Sequence, residues 1–252
     1  MRSSFSRGQV VAAYLAHIYT ASGLVWAALS AFAIVEGNYN AACLWMMVAM
    51  AVDSTDGFLA RRAKVKEVAP RVDGRKLDDI IDYLNYTFLP IMLLGHSGWL
   101  PSPTLLWIAI PLVSSIFAFV DRGAKEEQGG FFLGFPSYWN VFVMYVVLWL
   151  HAYDGIPIVL LILFLSFLSV IPVRFVYPSH APRFRLFFNG GAAVWILLLC
   201  YLLWASPGSG SEFLVWLSLL YPVFYVLLSI YLDVADRRST PEKSSTIPPP
   251  KQ

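Results

Sequence analysis

Apolar residues run along this chain in long unbroken stretches rather than in alternation. Eight such stretches stand out, at roughly 11–35, 40–60, 77–98, 103–120, 138–153, 156–177, 186–205 and 213–232. A helix needs about 20 apolar residues to cross the hydrocarbon of a bilayer, and most of the stretches approach that length. They are too continuous for alternating barrel strands, so the pattern predicts helices and no strands. Turn-forming breaks separate them: Glu36-Gly37-Asn38, Ser97-Gly98, Asp154-Gly155 and Ser206-Pro207-Gly208-Ser209-Gly210. The expected architecture is an all-α integral membrane protein of about eight transmembrane helices over residues 1–233. Residues 234–252, with Ser239-Thr240-Pro241 and Pro248-Pro249-Pro250, read as a solvated, disordered tail.

Composition agrees with that pattern. The 252 residues are 58% hydrophobic and 13% charged, about half the charge of an average soluble protein. Mean hydropathy is +0.63. These values exclude a disordered chain and argue against a water-soluble globule. Cys43 and Cys200 both sit in apolar runs, which argues against a disulfide framework or a cysteine metal site. A net charge of +2 gives no case for nucleic acid as a partner. The placement of charge is more informative than its sum. With eight crossings and both termini in the cytoplasm, all 18 Lys and Arg fall on inside segments and the outside loops carry none. Cytoplasmic loops are the ones enriched in Lys and Arg, so the division supports both the helix count and the orientation.

The acids cluster. Asp53, Asp56, Asp78, Asp79 and Asp82 flank a single inside loop, and charge at or within a membrane helix points to function. Asp53, Asp56, Gly57 and Ala60 are spaced i, i+3, i+4 and i+7, which puts them on one helical face. Gly74, Asp78 and Asp82 follow at i, i+4 and i+8 on the next helix, and Asn85 and Tyr86 continue that face. Two helices joined by a short loop therefore turn four carboxylates toward each other. Such a group repels itself unless cations neutralise it, and oxygen-only ligands suit Mg²⁺ or Mn²⁺. Four carboxylates suit a pair of such ions, an arrangement made for phosphoryl displacement. The bland alternative is a solvated salt-bridge network with Arg61, Arg62, Arg71, Arg75 and Lys76. Against it, the acids lie on helical stripes shared with small residues, while most of the bases lie in the loop. Asp79 is off the main stripe.

The run Asp53-x2-Asp56-Gly57-x2-Ala60-Arg61-x12-Gly74-x3-Asp78-x3-Asp82 resembles the signature of the CDP-alcohol phosphotransferases. The spacer before Gly74 is longer than in most members and resembles that of a bacterial branch whose acceptor is choline. The resemblance implies an enzyme of the bacterial inner membrane, with its active site at the cytoplasmic side. It would transfer the phosphatidyl group of CDP-diacylglycerol to an alcohol and release CMP, using two Mn²⁺ or Mg²⁺ ions. Carried over by position, Asp53, Asp56, Asp78 and Asp82 hold the metals, and Asp82 is also the general base. Gly57, Ala60 and Gly74 pack around the cytidine and its ribose, and Arg61 holds the nucleotide end. Family analogy also implies a homodimer.

A choline acceptor calls for aromatic faces near the carboxylates. Tyr83 and Tyr86 follow Asp82, while Tyr138, Trp139 and Asn140 open the fifth stretch at the same side. Tyr19 reaches that depth only if the first helix is tilted or broken. His17, in mid-helix, reads as a packing residue. Arg174, with Arg183 and Arg185, is a candidate for binding phosphate. A sister enzyme using serine, glycerol phosphate or inositol phosphate is the alternative, and an anionic acceptor would draw on those same arginines. A divalent-cation transporter is disfavoured, because the acids gather at one face and do not line a path across the membrane. The expected partners are therefore CDP-diacylglycerol, choline and membrane lipid.

Overall fold

The computed structural model describes residues 5–120, 125–126, 131–171, 173–176, 185–205 and 212–239. The first apolar stretch forms two helices, α1 (Arg7–Ala21) and α2 (Gly23–Val35). Ser6 begins α1 with a capping box closed by Gln9, which satisfies two of the orphan donors of the first turn. The two helices meet at Ser22, whose hydroxyl donates to the Tyr19 carbonyl at 2.6 Å. A Ser-Gly pair is a common cause of such a break. The 24-residue α3 (Tyr39–Arg62) is capped by Asn38 and packs against α2. A left-handed Lys64 turns the chain into the short α4 (Val65–Val68), and the Asp73 carboxylate caps α5 (Gly74–Asp82). One π-helical segment, Tyr83–Phe88, joins α5 to α6 (Leu89–Ser97), which Gly98 ends at φ +76°. The later helices are α7 (Thr104–Val120), α8 (Trp139–Leu148), α9 (Gly155–Val170), α10 (Arg185–Ala205) and α11 (Glu212–Ser239).

Arg7–Val35, Tyr39–Arg62 and Glu212–Val234 are long and apolar enough to cross a membrane. Thr104–Phe117, Trp139–Leu148, Gly155–Val170 and Gly190–Ala205 are shorter apolar helices. Trp139, Met46, Leu93, Met144 and Leu199 form the buried centre of the bundle. The outer faces are equally apolar: Leu105 and Trp204 are both 76% exposed and Phe213 is 72% exposed. A helix that is hydrophobic all round needs lipid on its outward side, so the molecule is a helical membrane protein.

Three boundaries depart from the sequence reading. The stretch expected at 156–177 ends as helix at Val170, and the expected absence of strands fails there. Arg174–Val176 is a strand (β3) that pairs antiparallel with β2 (Phe131–Leu133), which pairs antiparallel with β1 (Lys125–Glu126). Ile171 precedes a proline and is extended at ψ 145°, because a residue before proline is driven out of the helical region. Two connecting loops thus satisfy their backbone groups on each other, a pairing that hydropathy along one strand cannot reveal. The stretch expected at 138–153 is α-helical only to Leu148, with a 3₁₀ turn over Leu150–Ala152. The last helix continues to Ser239, past the expected boundary at 233, and residues 240–252 of the expected tail lie outside the described residues.

Candidate metal centre and active site

Helix α1 packs against both α3 and α5, with small side chains at the contact. Ala13 and Ala16 of α1 are buried against Val65 and Ala69 around α4, and Ala60 packs on the same cluster. The close approach depends on bare backbone. A Cβ on Gly23 would come 2.5 Å from Cγ2 of Ile81, and a Cβ on Gly74 would come 3.1 Å from Cε1 of His17. The Asn85 side-chain amide adds a tie by donating to the carbonyls of Gly23 at 3.3 Å and Ile81 at 3.0 Å.

The carboxylate stripes converge at this junction. Asp53, Asp78 and Asp82 bring one oxygen each to within 4.8 Å of one another. Asp56 is only 7% exposed and lines the same cleft, together with Thr20, Gly23, Ala49, Val52 and Ile81. Carboxylates this close repel unless a cation lies among them. A set of hard oxygen donors from two helices, in a cleft rather than on open surface, fits Mg²⁺ or Mn²⁺. Asp79 does not line the cleft-forming surface shared by the other four.

The remaining candidates separate by position. Gly57 lies beneath Arg61, whose Nη1 would be 3.2 Å from a Cβ there, so the guanidinium folds back along α3 over bare backbone. The Tyr86 hydroxyl donates to Oδ2 of Asp53 at 2.7 Å, and its ring lies 6.1 Å from that of Tyr138. Tyr83 points elsewhere: its hydroxyl donates to the Leu112 carbonyl at 3.1 Å and its ring meets Phe119 edge-on. Trp139 is fully buried, with its indole N–H donating to the Ser115 hydroxyl at 2.7 Å. The Asn140 amide is buried, with its oxygen accepting from the Val141 N–H and its nitrogen facing Met50 sulfur at 4.0 Å. Arg174 is ion-paired, its Nε donating to Oδ1 of Asp233 at 2.7 Å. Arg183 lies outside the described residues. Tyr19, in the last turn of α1, shares a 2.8 Å hydrogen bond with the Thr55 hydroxyl of α3.

Thr20 and Gly23 were missed as cleft residues. Their signal is the Thr20-Ala21-Ser22-Gly23 run, a small and polar interruption in an otherwise apolar stretch. Helical spacing put Tyr86 on the carboxylate face, but its hydrogen bond to Asp53, made from within the π-helical segment, was not anticipated.

No protein-family model matches the chain. Curated relatives do. The chain is 36% identical over 177 residues to a phosphatidylcholine synthase of Borreliella burgdorferi, spanning 70% of this chain and 74% of that one. A phosphatidylcholine synthase of Pseudomonas aeruginosa is 36% identical over 185 residues, 72% of this chain and 75% of its own. One from Legionella pneumophila is 33% identical over 242 residues, covering 92% of both chains.

Proposed function

The chain belongs to the phosphatidylcholine synthase family, and from that premise we propose that it joins CDP-diacylglycerol to choline at the carboxylate cleft of α1, α3 and α5. The oxygen of choline forms a bond to the phosphorus that carries the diacylglycerol. The bond from that phosphorus to the CMP oxygen breaks, and the products are phosphatidylcholine and CMP. The observation that carries the reading is the convergence of Asp53, Asp78 and Asp82 within 4.8 Å, with Asp56 in the same cleft.

The four carboxylates hold two divalent ions, Mn²⁺ or Mg²⁺. When bound, such ions neutralise the pyrophosphate and the charge that develops on the departing CMP. Asp82 accepts the hydroxyl proton of choline, in keeping with its place at the inner end of the stripe. Tyr86 fixes the orientation of Asp53 through its hydroxyl. The faces of Tyr86 and Tyr138 receive the trimethylammonium group, which cannot donate a hydrogen bond and is attracted to aromatic faces. Gly57, Ala60 and Gly74 leave room for the nucleotide, and Arg61 reaches its phosphates from the rim. Tyr83, Trp139 and Asn140 support the walls of the site from behind. Arg174, held by Asp233, braces β3 against α11 in this reading and does not bind phosphate. That pairing also weighs against an anionic acceptor.

In the same reading the chain crosses the bacterial cytoplasmic membrane eight times, as a homodimer, with both termini and the cleft at the cytoplasmic side. The confinement of all 18 Lys and Arg to one set of loops supports it.

The test is release of CMP by the purified protein in detergent, with CDP-diacylglycerol and a panel of acceptors. Activity is expected with choline, in Mn²⁺ or Mg²⁺, and none in excess chelator. Equal rates with serine or glycerol phosphate would refute the choline assignment, and full activity in chelator would refute the metal reading.

A further inference from the structure

His17 is absent from the reading above, yet it is 8% exposed and its Nε2 is buried with no hydrogen-bond partner. Leaving a buried polar nitrogen unmatched costs stability, and native proteins rarely do so without a reason. The ring lies flush on the first residue of α5: a Cβ on Gly74 would come 3.1 Å from Cε1 and 3.5 Å from Nδ1. Both partners stand one helical turn from the cleft. Thr20, three residues after His17, and Asp78, four residues after Gly74, both line it. On α3 the turn after Asp53 brings Asp56 and Gly57. Gly57 and Gly74 thus lie one helical turn, ~5.4 Å, from Asp53 and Asp78 on the loop side, and His17 packs on Gly74 in that layer. That layer lies toward the exposed, charged end of the junction, where Arg61, Lys64, Lys66 and Arg71 are all exposed.

The substrate has the same order. Its acyl chains belong in the bilayer and its pyrophosphate on the carboxylates, so its nucleoside falls one layer toward water. On the strength of the proposed function, we propose that His17 is a binding residue for the nucleoside of CDP-diacylglycerol, its Nε2 completing a hydrogen bond with the cytidine. A neutral imidazole nitrogen either donates or accepts, and cytidine offers both partners.

The experiment is calorimetric titration of the full-length protein in detergent with Mn²⁺, using CDP and inorganic pyrophosphate as separate probes. His17→Phe keeps the volume of the ring and removes its nitrogens, and His17→Ala removes both. In either folded variant CDP should bind about tenfold more weakly, while pyrophosphate affinity stays within about twofold. The KM for CDP-diacylglycerol should rise with the CDP constant, and the KM for choline should stay put. Unchanged CDP affinity in either variant would overturn the role of His17. Parallel loss of CDP and pyrophosphate would also overturn it, by making the residue structural. Failure of the unmutated protein to bind CDP at all would strike at the cleft assignment itself, a different result from either of these.

Discussion

At the scale of single residues, the carboxylates proposed to bind metal were legible because helical spacing alone puts those of each helix on one face. Asp53, Asp78 and Asp82 converge as their spacing requires. Replacing any of them with asparagine removes charge while keeping shape. Asp53→Asn, Asp78→Asn and Asp82→Asn should each lose on the order of 100-fold or more in turnover and bind Mn²⁺ more weakly in calorimetry, with normal membrane insertion. Retention of near-full activity in any one would remove that residue from the metal set. The aromatic residues were less legible. Both tyrosines were candidates for the choline site, but only Tyr86 continues the carboxylate face by spacing, and it bonds Asp53 while Tyr83 bonds α7. Tyr86 combines a hydroxyl that orients a carboxylate with a ring next to Tyr138, and two variants separate those parts. Tyr86→Phe should weaken Mn²⁺ binding about tenfold and leave the choline KM alone. Tyr86→Ala should in addition raise that KM about three- to thirtyfold. An unchanged choline KM in Tyr86→Ala would place the acceptor's cation elsewhere.

At the scale of elements, the breaks matter as much as the helices. Ser22 divides the first apolar stretch, and this brings Thr20 and Gly23 against α5. Hydropathy registers only one long stretch there, because an interruption of a few small residues barely changes its average. The contact at Gly23 is tight enough to test. Gly23→Ala puts a methyl group 2.5 Å from Ile81 Cγ2, and overpacking of this kind costs about 1–3 kcal/mol. The variant should melt several degrees lower in detergent, by roughly 4 °C or more per kcal/mol in a small domain and less in a larger one. A melting temperature equal to that of the unmutated protein would mean the two helices separate freely. The π-helical segment over Tyr83–Phe88 has no hydropathy signature either. Such segments are rare and often mark functional sites, and this one carries Tyr86, whose hydroxyl reaches Asp53.

At the scale of the whole molecule, the apolar stretches gave the helices their approximate places, and their ends were set by local chemistry. Gly98 ends α6 in a left-handed conformation, while the proline after Ile171 ends the helical run of α9. The orientation is tested by labelling. Single cysteines at Lys66 or Arg71, both exposed, should react from the cytoplasmic side only, after Cys43 and Cys200 are replaced. Cysteines at Gly37 or Ser102, both exposed, should react only from the opposite side. Reaction of Lys66 and Gly37 positions from the same side would break the alternation on which the eight crossings depend.

The three-stranded sheet supplies a parity rule that owes nothing to charge or hydropathy. β2 precedes α8 and α9, β3 follows them, and their backbones pair directly, Phe131 with Val176 and Leu133 with Arg174. The same seam continues in hydrogen bonds from Gly134 N–H to the Val173 carbonyl and from Phe135 N–H to the Leu168 carbonyl. Hydrogen-bonded strands cannot lie on opposite sides of a bilayer. The chain between them must therefore traverse the membrane an even number of times, so α8 and α9 either both cross or both stay on one side. The ten-residue α8 is thereby tied to the fate of the sixteen-residue α9, and any topology that counts one of them without the other is closed off.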